Sequence, residues 1–252
     1  MINLDINSVT VEFKDRFNLV CIDDFIETKF FHLLRDNYPS DENFQINTKY
    51  ALTLNDKNRN FHNFIQKETS WLDLIRIIDD EVFKKKILKI FKIKNVFFSD
   101  KSWKRFFPFF KKVNFEFTFN KSKNGSFNEP HTDSTRKIVS MIIFFTDDDW
   151  NINNGGLVKL FTPIQKKDEN NWRNKLIDEK DLNTIKEIFP KPNRFYGFKK
   201  TKNSYHSVSK VNCNEKDSRN VLMINLSYAN EHEIPFSDET IIKKILKKIF
   251  KK

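Results

Sequence analysis

Only two cysteines stand in these 252 residues, Cys21 and Cys213, far apart and in no C-x-x-C arrangement. A disulfide framework and a cysteine-built zinc site are thereby unsupported, and both residues read as reduced thiols. Glycine (4) and proline (7) are scarce, so a collagen-like chain is out and no Gly/Pro/Ser-rich linker marks a domain boundary. No window approaches the roughly eighteen uninterrupted apolar residues of a membrane span. The start, Met1-Ile2-Asn3-Leu4-Asp5, lacks the basic and apolar regions of a secretory signal, and a cytoplasmic protein is expected. No internal repeat is visible. What is abundant, 38% hydrophobic residues, suffices to bury a substantial core at this length.

The formal net charge is +11, unevenly spread. Lys84 to Lys112 holds ten lysines and Arg105 against Asp100, and Lys243 to Lys252 adds six lysines, which leaves the rest of the chain mildly acidic. Such patches suit nucleic acid, anionic lipid or an acidic partner. The blander account is compositional. Lys, Asn, Ile and Phe are all frequent, with 28 Phe against 5 Tyr, as an AT-rich genome produces, and solvated lysines then need no role.

The periodicity changes once along the chain. Up to about residue 105 it is helical: Phe30, Phe31, Leu33 and Leu34 recur after Asp24 until Tyr38-Pro39, followed by Phe61 to Ile65, Trp71 to Ile78 and Val82 to Phe91. Core packing accounts for these aromatics. From Val113 the period is 2, with Phe115, Phe117 and Phe119 alternating with Glu116, Thr118 and Asn120. Further strands are expected at 138–145, 157–161, 194–198, 205–211 and 221–228, with turns at Asn124-Gly125 and Asn153-Asn154-Gly155-Gly156. Many short strands without intervening helices predict a mostly β core with flanking helices: a jelly roll, that is, a cupin-like double-stranded β-helix, with an N-terminal helical region packed on it. The expected plan is one domain: a mainly helical 1–105, a core over 106–236 interrupted by an insertion at 163–190 (part helix, part loop), and an amphipathic helix at 237–252. That last helix is expected to dock its apolar stripe on the body, with membrane-surface binding as the alternative.

One constellation carries chemistry. Pro130-His131-Thr132-Asp133 sets an imidazole and a carboxylate two residues apart, and extended backbone points i and i+2 to one side. His206, 73 residues beyond Asp133, is the candidate third ligand. Two histidines and one carboxylate form the facial set of non-heme Fe(II) oxygenases, which leaves positions open for substrate and dioxygen. Thirteen residues after His206, Arg219 opens an apolar strand, where a guanidinium can hold a carboxylate by two parallel hydrogen bonds. H-x-D alone is weak, since isolated His and Asp pairs commonly only satisfy hydrogen bonds.

In order and strand context, residues 113–228 resemble the Fe(II)- and 2-oxoglutarate-dependent dioxygenases, on the prolyl 4-hydroxylase-like side. The resemblance runs through Pro130 to Asp133, Arg136, Val139 to Phe145, Asp149-Trp150, Gly155-Gly156-Leu157, Pro192 to Phe195, His206 to Val211 and Arg219. It implies that His131, Asp133 and His206 bind Fe(II) and act in catalysis, and that Arg219 binds the distal carboxylate of 2-oxoglutarate, the cosubstrate consumed with O2. It further implies hydroxylation of an unactivated C–H bond, with release of succinate and CO2, on a peptide or protein residue, a small polar metabolite or a glycan. Asp133 argues against halogenation, because relatives that halogenate lack that carboxylate.

The sequence departs from the family where several relatives place a cosubstrate-facing tyrosine; here Phe144 stands, and Tyr196 or Asn225 is the candidate replacement. Arg136 reads either as a basic site residue or as a solvated strand end, and Trp150 and Trp172 either as substrate-facing or as cover for the sheet edge. His32, His62 and His232 are assigned to no metal. Two alternatives stand beside the hydroxylase. One is a non-catalytic jelly-roll module whose basic patches bind an acidic partner. The other is a nucleic-acid demethylase, although that branch carries a second arginine six residues after the first, where this chain has Asn225.

Overall fold

The β-strands of this computed structural model are β1 (Val11–Glu12), β2 (Leu19–Ile22), β3 (Gln45–Ile46), β4 (Ala51–Asn55), β5 (Val96–Phe97), β6 (Lys111–Ser122) and β7 (Asn128–His131). They continue with β8 (Lys137–Phe144), β9 (Val158–Pro163), β10 (Leu182–Ile188), β11 (Phe195–Lys199), β12 (Tyr205–Val208) and β13 (Arg219–Tyr228). The helices are α1 (Thr28–Asp36), α2 (Arg59–Lys67), α3 (Thr69–Asp79) and α4 (Glu81–Ile90). The structure describes residues 2–5, 9–13, 17–46, 51–99, 101–107, 109–164, 176–201 and 203–229. Trp172, His232 and the expected helix at 237–252 lie outside the described residues.

Two sheets face each other. The larger runs β1-β2-β11-β8-β13-β6-β4-β3, with β5 beside β6, and the smaller runs β10-β9-β12-β7. The alternation read from β6 decides which side meets which layer. Val113, Phe115, Phe117 and Phe119 are buried in the core that also holds Phe61, Phe64, Trp71 and Phe83 of the helices. Trp71 packs edge-on against Phe119 at 4.7 Å, and Phe31 stacks on Phe145 at 5.3 Å. Each fully buried phenylalanine contributes roughly 1.5–3 kcal/mol. The same parity continues across the sheet, since Val139, Met141 and Ile143 of β8 and Leu222, Ile224 and Leu226 of β13 join that helix-facing core. A second core between the sheets gathers Leu19, Phe144, Val158, Leu160, Phe198 and Val221.

Two expectations need correction. The first hundred residues are not helical throughout, because β2 pairs with β11 and β4 with β6, which weaves the N-terminal region into the larger sheet. The segment 163–190 contributes a strand, β10, paired with β9 through an irregularity between Thr184 and Lys186 that disturbs its alternation. The first helix is capped by Glu27, whose carboxylate accepts from the Lys29 and Phe30 amides, while Asp24 sits earlier in a left-handed turn at φ 50°. Cys21 and Cys213 are free, as expected, and burial, opposed in part by Lys186 and Arg194, pushes the Cys21 thiol up to about 11. No helix among the described residues is long and apolar enough to cross a membrane.

Candidate active site

A cavity of about 340 Å³ opens between the two sheets. The larger sheet lines it with the side chains opposite its helix-facing parity: Asn120 of β6, Ser140 and Ile142 of β8, Tyr196 and Phe198 of β11, and Arg219, Met223 and Asn225 of β13. The smaller sheet supplies His131 and His206. These two are direct register partners across β7 and β12, which sets their rings 4.4 Å apart.

Asp133 joins them by a different route from the one expected. β7 ends at His131, so Thr132 and Asp133 follow in irregular backbone and strand geometry does not aim the carboxylate. Its position comes from β8: Lys137 Nζ donates to Oδ1 at 2.7 Å and Ser140 Oγ donates to Oδ2 at 2.5 Å. Asp133 Oδ2 lies 4.0 Å from His206 Nε2, and one ligand atom from each of His131, Asp133 and His206 falls within 4.8 Å of the others. Burial alone would raise the Asp133 carboxyl. The Lys137 ammonium, His206 and the two hydrogen bonds outweigh it and hold the group well below the usual carboxylate range.

Backbone carbonyls orient the two histidines. His131 Nδ1 lies 2.8 Å from the Glu129 carbonyl oxygen and His206 Nδ1 3.1 Å from that of Ser204. A carbonyl only accepts, so each Nδ1 carries a proton and Nε2 is the nitrogen turned to the other side of each ring. Burial lowers the His206 pKa to about 4 against the pull of Asp133, keeping the imidazole in the neutral form a metal requires.

Arg219 is buried at 3% exposure, and its Nε and one terminal nitrogen have no hydrogen-bond partner in the protein. Its guanidinium carbon lies 5.0 Å from the centre of the Phe144 ring, a partial compensation by cation–π attraction. Burial drops the Arg219 pKa to about 10, against the influence of Tyr196 and Tyr38. A buried donor without an acceptor is costly, and a cavity-lining guanidinium with two such donors matches an anionic ligand. Lys137 is paired with Asp133, which leaves Arg219 as the cavity-lining cation aimed at an anion.

Gly156 explains how the arginine fits. A Cβ there would meet Arg219 Cδ at 2.6 Å, and its φ of 71° itself favours glycine. The Gly155-Gly156 turn therefore does more than reverse the chain. The basic residue beside the carboxylate is Lys137, whereas Arg136 turns away to pair with Glu116. Trp150 is buried and donates to the Gly155 carbonyl at 3.3 Å, which gives it a structural part. Tyr196 and Asn225 both line the cavity, and Tyr196 stacks on Phe144 at 5.7 Å. Lys137 and Ser140 were not anticipated. A lone serine inside the apolar run from Ile138 to Phe145 was the available signal for the second.

Residues 117–227 match the family model of the 2OG-Fe(II) oxygenase superfamily. The fold is similar to that of a prolyl 4-hydroxylase from Phytophthora capsici, at 14% identity and a TM-score of 0.51 over 92% of this chain and 68% of that one. A prolyl-4-hydroxylase from Pseudomonas putida is similar at 12% identity, with a TM-score of 0.48 over 88% of this chain and 98% of that one. An oxidoreductase of the 2OG-Fe(II) oxygenase family from Burkholderia pseudomallei is similar at 10% identity, with a TM-score of 0.49 over 84% and 87% of the two chains. No curated protein matches. Identities this low speak to the fold alone, whereas the family model spans every cavity side chain discussed above from Asn120 to Asn225. The match to the 2OG-Fe(II) oxygenase superfamily thus covers residues 117–227, the stretch that holds His131, Asp133, His206 and Arg219.

Proposed function

We propose that this protein is a hydroxylase in which His131, Asp133 and His206 hold Fe(II) and Arg219 holds the distal carboxylate of 2-oxoglutarate. The observation that carries the reading is Arg219, a buried guanidinium with two unpartnered nitrogens lining the same cavity as a His-Asp-His set. The donor set fits the metal, since two neutral imidazole nitrogens and one ionised carboxylate oxygen are the ligands suited to non-heme Fe(II). When bound, Fe(II) and 2-oxoglutarate activate dioxygen, yielding succinate and CO2 and the oxidising power to place one oxygen atom on a C–H bond.

The protein's own residues prepare the site for this. Glu129 and Ser204 orient the two imidazoles through their carbonyls, and Ser140 and Lys137 fix the carboxylate. Tyr196 and Phe198 give the cavity an apolar side and pack with Phe144 in the cluster between the sheets. A peptide residue, a small polar metabolite or a glycan is the substrate class supported by the amide and hydroxyl groups of Asn120, Asn128, Ser126 and Asn225 along the cavity. The test is anaerobic addition of Fe(II) and 2-oxoglutarate with the visible spectrum recorded. A metal-to-ligand charge-transfer band is expected in wild type and is expected to weaken or vanish in Asp133→Ala, His206→Ala and Arg219→Ala. Iron bound without a band would instead favour a binding module that does not consume 2-oxoglutarate.

A further inference from the structure

We infer that the aromatic cluster of Trp103, Phe106, Phe107 and Phe109 is an anchor for an anionic lipid bilayer, independent of the chemistry in the cavity. Trp103, Phe106, Phe107 and Phe109 are 62%, 72%, 42% and 38% exposed, a concentration of large apolar side chains in water on one short turn. The turn is well built. Ser102 caps it through the Lys104 amide, successive amide–carbonyl bonds tie Arg105 to Ser102 and Phe107 to Lys104, and Lys111 N–H is anchored on the Asn95 carbonyl at 2.9 Å. The exposed rings are therefore held out by structure.

The charge around them selects the partner. Between Lys101 and Phe115 the sequence holds Lys101, Lys104, Arg105, Lys111 and Lys112 and no acidic residue. A second copy docking through its own turn would bring the same positive charge and be repelled. Single-stranded nucleic acid stacks its bases on open ring faces, but these rings pack on one another, with Trp103–Phe107, Trp103–Phe110 and Phe109–Phe110 centroids 5.5, 5.9 and 4.7 Å apart. Lys104 and Arg105 also lie over the Phe110 and Phe106 rings at 5.1 and 4.6 Å. A bilayer surface needs neither a matching groove nor separated ring faces. It takes aromatic side chains at headgroup level and attracts lysines through its anionic lipids.

The placement suits such a role. The turn joins β6 at Lys111, whereas the cavity is lined from the other end of that strand, at Asn120 and Ser122, roughly 30 Å away. Docking by the turn leaves the cavity clear.

Co-sedimentation of the full chain with phosphatidylcholine vesicles, with and without phosphatidylserine, tests this. Binding is expected to be at least about tenfold tighter to the anionic vesicles and to weaken with salt. The paired variant Trp103→Ser/Phe106→Ser keeps every charge and is expected to lose about tenfold or more, with an unchanged unfolding midpoint. Lys101→Gln/Lys104→Gln should show a comparable loss. As a readout independent of variant folding, vesicles should blue-shift tryptophan emission in wild type but not in Trp103→Phe. Equal binding to neutral vesicles, or unchanged binding by the aromatic variant, overturns the proposal, the latter by moving the contact elsewhere, such as Lys243 to Lys252. Capture of a single-stranded oligonucleotide without vesicle binding overturns it as well.

Discussion

Replacing Arg219 with methionine is expected to make the ligand-free protein more stable while removing its response to 2-oxoglutarate. The native cost can be sized from the depressed guanidinium. A fall from 12.5 to about 10 corresponds to about 3 kcal/mol of differential penalty on the charged form. Methionine keeps most of the stem volume beside Gly156, removes the two unpartnered nitrogens and gives up the cation–π contact with Phe144, worth about 0.5–2 kcal/mol. A net gain of about 1–2 kcal/mol follows, which at this chain length raises Tm by roughly 2–8 °C. The assay is thermal unfolding with Mn(II) present and 2-oxoglutarate added in steps. Wild type should gain about 2.7 kcal/mol at a hundredfold excess over Kd, and Arg219→Met should gain almost nothing. A variant less stable than wild type by more than about 1 kcal/mol, or one that keeps the full ligand-induced gain, would refute the reasoning, because Arg219 would then be a structural residue.

The two glycines of the turn should separate stability from ligand binding. Gly155→Ala puts a Cβ 2.0 Å from the Lys210 carbonyl oxygen and should lower the urea midpoint more than Gly156→Ala, whose clash is with the Arg219 stem and which should weaken 2-oxoglutarate binding more per unit of stability lost. Lys137→Met leaves the buried Asp133 without its main counter-charge and should cost about 1–3 kcal/mol in the metal-free protein. Mn(II) should erase most of that difference in paired melts, since the ion takes over the charge. The His206 pKa in the folded state, about 4, lies below its ordinary 6.5, so the unfolded chain binds this proton more readily. Stability is therefore complete above about pH 6.5 and falls as pH drops toward 4, by about 3 kcal/mol from this group, with Asp133 adding a further loss below about pH 4. Urea titrations of the metal-free protein across that range should show the slope, and His206→Gln should flatten the upper part of it.

The legible parts of the fold share one property: the side chains of each element face two different environments. β6 alternates because Phe115 and Phe117 enter the helix layer while Glu116 and Thr118 do not, and α1 to α4 repeat at helical spacing for the same reason. Leu19-Val20-Cys21-Ile22 could not be read as a strand because its apolar run shows no alternation; Leu19 and Val20 enter the two different cores on either side of it. β10 escaped for the opposite reason, being a polar edge strand with an irregular register. At the site, residue types were readable but their supports were not. His131, Asp133, His206 and Arg219 could be nominated from residue type and family resemblance, whereas the action of Lys137 on Asp133 and of Gly156 on Arg219 exists only after β8, β9 and β13 converge.

The parity of the larger sheet also separates what holds the protein together from what it acts with. In a plain β-sandwich the alternating apolar residues fill the space between the sheets. Here Phe115, Met141, Ile224 and their neighbours are directed to the helices, and the opposite parity places Asn120, Ser140, Arg219 and Asn225 toward the cavity. The helical layer thus leaves room for a partly polar interior, because the sheet buries a large apolar set on the other face and only a smaller one between the sheets. Substitutions at Asn120 or Asn225 should then be inexpensive for folding, within about 1 kcal/mol, yet alter which molecule is accepted. Substitutions at Phe119 or Ile224 should cost about 2–5 kcal/mol and leave the cavity's residue set intact. Such a division lets the residues facing the substrate change while the metal-ligand candidates, fixed by β7, β12 and the Lys137–Ser140 pair, stay in place.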